Sequence, residues 1–435
     1  MYLPLKKKFE KTNIILLSLI VIFYPLNIYG IRPLQLFLYK DSTFFINFAH
    51  IFIICYLVLN FFFIERKSFF FIILTSIFIF LPTIIFNPYQ DYLNQHSYQY
   101  WGSISSSFYL VLILSFGIIL FDRIRYSQIF FLLKISFLIV LISSIFHILQ
   151  FISFVVFDYK LYALFCDSIS SICGDKYSGA SKYNYMGELM RSSGFNNNIN
   201  RSVSYLIPGL YLAFLFFIKT KNNFFVYSYI IIQIVILTTL SRLTIFLSIL
   251  SLIFFAVIMF NEYYHMNTKK IKFGNFKFSI ISIFILIIFL PGVIHDKFDL
   301  LNPKNFTEYT RTLHNIFLAL SVSLENFGFG VGYHIIDDYL FVNTEIDLWG
   351  SHSNLVQLIG GTGVIFVSTL IYLLVKNIRI FHSKKKKNII LTFLLISFIV
   401  IGTLKTFFLN VYGIFFLSIL LKMCSQNDIT ISKNI

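Results

Sequence analysis

The stretch from Arg311 to Gly363 concentrates side chains that could do chemistry. It holds Arg311, His314, the glycines Gly328, Gly330 and Gly332, His334, and the acids Asp337, Asp338, Glu345 and Asp347. Ser351-His352-Ser353-Asn354 follow, and the stretch closes on Gly360-Gly361-Thr362-Gly363. Glycines permit tight turns and a close approach of backbone to a ligand. Imidazole exchanges protons near neutral pH, so His352 is a candidate proton acceptor, although a histidine at a helix start also serves as a cap or an interface residue. The Gly-x-Gly-x-Gly spacing lacks the strand-turn-helix context of a nucleotide fold. No cluster has metal-ligand spacing, so no metal and no other cofactor are expected.

A second polar stretch runs from Asp158 to Arg201, is rich in Ser, Gly, Asn and Tyr, and ends in Arg191-Ser192-Ser193-Gly194-Phe195-Asn196-Asn197-Asn198-Ile199-Asn200-Arg201. It reads either as a capped loop before a helix or as a source of cations and amides where a span meets a surface. Ser241-Arg242 stands between two apolar runs with almost no loop. An arginine at the centre of a membrane helix costs about 2.5–3.5 kcal/mol. Arg242 therefore either snorkels outward or faces a polar cavity and meets an anion, and the lack of a nearby Asp or Glu in the sequence favours the anion. Between Asn87 and Trp101 the chain is aromatic and polar, as suits an interfacial belt or a sugar-stacking surface.

The frame that must position these residues is a set of membrane helices. The 435 residues are 57% hydrophobic and 12% charged, outside the range of soluble domains. Long Ile/Leu/Phe runs approach the roughly 20 residues needed to cross a bilayer core, and backbone in lipid must pair within its own segment. The runs give about twelve spans, centred near Leu17, Ile54, Thr75, Val111, Ile139, Leu210, Ile232, Leu250, Phe284, Phe366, Ile396 and Phe415. The first follows a basic start but lacks a good cleavage site, so it is expected to be retained. The expected fold is all-α and polytopic: N-terminal spans over 1–157, a first outer loop over 158–201, central spans over 202–294, a large outer loop over 295–351, and C-terminal spans with a tail over 352–435.

Lys and Arg gather in cytoplasmic loops. With both termini inside, most of the 35 Lys and Arg fall on the inner side, in clusters such as Lys6-Lys7-Lys8, Arg66-Lys67, Arg123 to Lys134, Lys219 to Lys221 and Lys384 to Lys387. The net charge of +16 is thus mostly a signal of topology. The clusters are short, sit at span ends and lack any binding-module pattern, which argues against nucleic acid as a partner. Both large polar stretches fall outside. Cys166 and Cys173 are close enough in sequence for a disulfide if that face is oxidising, while spacing alone leaves the connectivity open.

In order and location these features resemble the O-antigen polymerase (Wzy) family of the O-antigen polymerase and ligase superfamily. The likeness is carried by Arg191-Ser192-Ser193-Gly194-Phe195 with Asn200 before a span, and by Ser241-Arg242 at the start of another. Its remaining parts are Arg311 ahead of Asn326-Phe327-Gly328-Phe329-Gly330-Val331-Gly332, and His352-Ser353-Asn354-Leu355-Val356-Gln357-Leu358 before Gly363. Departures exist: Ser353 stands where the family often has Asn, Gly361 where it often has an acid, and His314 near where an aromatic is common.

The resemblance implies a GT-C-like enzyme of the bacterial inner membrane that joins oligosaccharide repeat units carried on undecaprenyl diphosphate, on the periplasmic side and without a metal. A hydroxyl of the incoming unit would attack the anomeric carbon of the growing chain, inverting it and expelling the lipid diphosphate. Fixed cations stabilise such a leaving group, and the guanidinium fork fits phosphate oxygens. On this likeness Arg242 and Arg311 contact the diphosphate, with Arg191 as a third candidate. His352 accepts the hydroxyl proton or orients the acceptor, with Asn354 beside it. Gly328, Gly330 and Gly332 line the substrate, and Asp337, Asp338, Glu345 and Asp347 are reserve bases or sugar partners. The expected partners are the lipid-linked donor and acceptor, the bilayer and, as an open alternative, a chain-length regulator. Rival readings are a ligase that transfers polysaccharide to lipid A core and, from another class, a flippase for the same lipid-linked sugars.

Overall fold

A computed structural model describes residues 2–24, 48–84, 97–157, 185–186, 189–190, 192, 194, 199–239, 244–245, 247–256, 316–333, 336, 354–384, 391, 394–399 and 410–425. Among these the chain is helical, apart from a short antiparallel pair of strands. In chain order the helices are α1 (Tyr2–Phe23), α2 (Phe48–Phe61), α3 (Arg66–Ile84), α4 (Ser97–Arg123) and α5 (Tyr126–Phe157). They continue with α6 (Ile199–Thr220), α7 (Asn223–Thr238), α8 (Leu247–Ala256), α9 (Ile316–Glu325), α10 (Asn354–Thr362), α11 (Val364–Lys384) and α12 (Val411–Ser425). Strands β1 (Tyr185–Met186) and β2 (Leu189–Met190) pair with Tyr185 opposite Met190.

Helix is what these sequences can form: long runs of Leu, Ile and Phe whose backbone groups pair within the segment. The breaks are made by polar residues at span ends. Lys221, at φ 54, and Asn222 turn α6 into α7, and the Asn222 side chain accepts from Phe224 N at 2.9 Å to cap the new helix.

Helices α3 and α5 are long and apolar enough to cross a membrane. Their faces are arranged inside out. On α5 the exposed stripe is Phe131, Lys134, Leu138, Ile142, Ile145, Leu149, Ile152 and Val156, apolar beyond Lys134, whereas Ser136, Ser143, Ser144, His147 and Gln150 are buried. On α3 the exposed residues include Phe69, Phe70, Ile73 and Ile77, with Thr75 and Thr83 inside. A helix that faces water reverses this pattern.

The bundle is built from helix hairpins: α1 packs on α2, α3 on α4 and α6 on α7, while α5 lies against α1, α6 and α7 and α12 joins α4 to α6. Its core runs through Leu17, Ile53, Phe116, Leu133, Leu210, Ile236 and Phe415. One end collects charge. Arg125 pairs with Glu10 of α1, Arg123 donates to Phe63 O between α2 and α3 at 3.4 Å, and Lys422 of α12 donates to Asp122 O at 3.5 Å. Lys219, in the last turn of α6, sits over the Phe130 ring of α5 at 3.0 Å. Glu10, Arg123, Arg125, Lys219 and Lys422 thus gather at the end where these helices meet.

Candidate functional site

Arg191, Arg242, Arg311, His352, Asp337 and Asp338 lie outside the described residues, as do His314, His334, Glu345, Asp347, Cys166, Cys173 and the side chain of Asn354. Asn354 is the first residue of α10. Gly328, Gly330 and Gly332 are described, and so are chain neighbours of several of the others.

The glycine run sits against a break in a helix. Gly363, at φ +100, separates α10 from α11. Such a break frees carbonyls at the end of one helix and N–H groups at the start of the next, and each needs a partner when buried. The run supplies them: Val331 N donates to Gly360 O at 2.8 Å and Gly332 N to Gly361 O at 2.9 Å. On the other side Ile365 N donates to Gly328 O at 3.2 Å, and Val364 N donates to the Ser323 hydroxyl of α9 at 2.8 Å. The fit requires glycine, since a Cβ on Gly330 would fall on the carbonyl group of Gly361. The close approach expected of these glycines is therefore made to the chain's own backbone. Phe78 of α3 stacks on Phe329 at 6.2 Å and on Phe366 at 5.7 Å, which ties the break to the bundle.

The end of the first polar stretch is held by a second cluster. Ser192 N donates to Thr238 O at 3.1 Å, and the Ser192 hydroxyl lies 2.7 Å from that of Thr238. His147 Nδ1 reaches the Ser192 hydroxyl at 2.9 Å. Gln150 takes both peptide groups of Gly194: its Oε1 accepts from Gly194 N at 2.9 Å and its Nε2 donates to Gly194 O at 3.0 Å. Ser143 donates to Tyr205 Oη at 2.8 Å beside them. His147, Gln150, Ser143, Ser192 and Tyr205 are all fully buried.

His147 ends a chain of buried hydrogen bonds that runs through the hydroxyls of Ser192 and Thr238, and the Thr238 hydroxyl also reaches Val235 O at 2.8 Å. The Nε2 atom is buried without a hydrogen-bond partner and faces Gly194, whose φ is +64 and whose Cβ, if present, would strike it. Neither His147 nor Gln150 was expected at a site. The signal lay in the polar positions 143, 144, 147 and 150 of an otherwise apolar run, a spacing that puts them on one helical face.

Both clusters lie away from the charged end. His147 is 21 residues beyond Tyr126, roughly 31 Å of helix, and Phe78 is 12 beyond Arg66, roughly 18 Å. Among the described residues no group of three His, Cys, Asp or Glu is placed to hold a metal ion. Cys55 and Cys424 are free thiols. No family model, no curated protein and no solved structure matches the chain.

Proposed function

We propose that this chain is a twelve-span, GT-C-like glycosyltransferase of the bacterial inner membrane, an O-antigen polymerase that joins repeat units carried on undecaprenyl diphosphate. Arg242, Arg311 and Arg191 bind the departing diphosphate on the periplasmic side, and His352 takes the acceptor proton. The inside-out faces of α3 and α5 support a lipid environment. Both termini then lie with the charged end in the cytoplasm, by the bias of Lys and Arg toward that side.

The observation that carries the site is the hydrogen-bonded joint between Ser192 and Thr238. Ser192 directly follows Arg191, and Arg242 comes four residues after Thr238. Two stretches far apart in sequence, each bearing an arginine of the resemblance, are joined at the end of the bundle away from the charged turns. Positively charged groups held there before reaction would stabilise developing negative charge without reorganising.

The break at Gly363 favours a second reading, a transporter of lipid-linked saccharide, because transporters bind cargo at broken helices. Against it, Gly360 O, Gly361 O, Val364 N and Ile365 N are engaged by the glycine run and Ser323.

Single replacement of Arg242, Arg311 or His352 by Ala in a host lacking its own copy separates the readings on a gel of surface polysaccharide. A lost polymerase leaves core bearing one repeat unit, a lost ligase leaves core without repeats, and a lost flippase traps units on the inner leaflet. Wild-type ladders from all three variants would remove the site assignment.

A further inference from the structure

The cluster around His147 takes no part in the proposed chemistry, yet it has features that simple packing does not need. It links three pieces of chain: α5 through His147 and Gln150, the turn through Ser192 and Gly194, and the end of α7 through Thr238. Two of those pieces continue in sequence to Arg191 and Arg242. One buried amide side chain satisfies both peptide groups of Gly194, as a neighbouring strand would. The imidazole bonds Ser192 through Nδ1 and leaves Nε2 buried without a partner, which is unfavourable for a polar atom away from water. Apolar side chains could seal a loop end at lower cost. A polar joint instead fixes direction and distance, since hydrogen bonds lose strength when bent or stretched.

We propose that His147 and Gln150 are positioning residues, which pin the Ser192–Gly194 turn to the end of α7 from inside the bundle and so hold the attachment points of the two arginine-bearing stretches at a set spacing. This rests on the glycosyltransferase reading, in which Arg191 and Arg242 share a diphosphate. The part of His147 that matters is the bond between its Nδ1 and the Ser192 hydroxyl. Asn at this position presents an amide N–H or C=O near the place of Nδ1 and nothing near Nε2. His147→Asn therefore keeps the joint, whereas His147→Ala removes it.

The test is binding of undecaprenyl diphosphate to the purified full-length protein in detergent, with undecaprenol as the probe lacking phosphate. His147→Ala is expected to weaken diphosphate binding at least about tenfold, the scale on which small misplacements of a binding group are felt. Undecaprenol binding is expected to stay unchanged. Thr238→Val, which keeps side-chain shape and removes the hydroxyl, is expected to act in the same direction and serves if His147→Ala does not fold. His147→Asn is expected to retain wild-type affinity. Unchanged affinity in both His147→Ala and Thr238→Val overturns the proposal. So does equal loss in His147→Asn and His147→Ala, which would assign the effect to Nε2. Equal loss for both probes would reduce the cluster to a packing element. If Arg242→Ala binds undecaprenyl diphosphate as tightly as wild type, the glycosyltransferase site fails first, and the positioning role falls with it.

Discussion

Val331 gives its backbone N–H to the carbonyl of Gly360 over 2.8 Å, and the next residue pair, Gly332 and Gly361, repeats the bond at 2.9 Å. Two strand-like bonds thus close the end of α10 where its helix stops. The break costs little in backbone pairing because the glycine run stands in for the missing turn.

Gly330→Ala places a methyl group against the Gly361 peptide, where backbone rather than a flexible side chain must move. Overpacking of this kind costs about 1–3 kcal/mol. The variant should melt earlier in detergent than wild type. A melting curve unchanged from wild type would show that the run does not bear on the break.

Ser323→Ala removes the hydroxyl that receives Val364 N at the start of α11. Loss of a hydroxyl cap costs about 0.5–2 kcal/mol, and Ser323→Thr should recover part of it. Thermal unfolding of the three proteins compares them directly, and equal stability for Ala and Ser at this position contradicts the cap.

Asn13 of α1 and Asn60 of α2 exchange amide bonds at 3.1 and 3.0 Å, and Asn60 is fully buried. Polar pairs between membrane helices are worth about 0.6 kcal/mol on average and up to about 1.7. A double-mutant cycle with Asn13→Leu and Asn60→Leu should return a coupling in that range, with the double variant less harmed than the singles predict. Strict additivity would mean that the two amides do not support each other.

The Glu10–Arg125 pair is more open, with side chains 26% and 51% exposed. Exposed pairs contribute about 0.2–1 kcal/mol and are screened by salt. Glu10→Gln should therefore shift unfolding only slightly, and the shift should shrink further in high salt. The same residue tests orientation: in a cysteine-free background, Glu10→Cys should resist a membrane-impermeant thiol reagent in intact cells, while Ser178→Cys in the first polar stretch should react. The opposite labelling would invert the proposed topology.

Much of the frame was legible in the chain. The expected span centres Leu17, Ile54, Thr75, Val111, Ile139, Leu210, Ile232, Leu250, Phe366, Ile396 and Phe415 all fall on described helical residues, while Phe284 lies outside the described residues. These features are local: apolar runs of sufficient length leave the backbone little choice but helix.

Partners were not legible. Glycines at 328, 330 and 332 announce close approach, but the segment approached is Gly360 to Ile365, some thirty residues onward, and nothing in the spacing names it. His147 and Gln150 stand in an apolar run as two polar residues of no stated purpose. Their partners Ser192 and Gly194 come from beyond a long polar stretch, 45 and 44 residues away.

The sequence by itself determined the helical frame and the positions of the basic turns, because apolar length and charge at a turn belong to each segment separately. The tertiary structure decided that Ser192 joins Thr238 and that the glycine run seals the break at Gly363. Those pairings depend on which buried donors and acceptors meet once helices pack, and a buried hydrogen bond requires both groups to arrive in one place and direction.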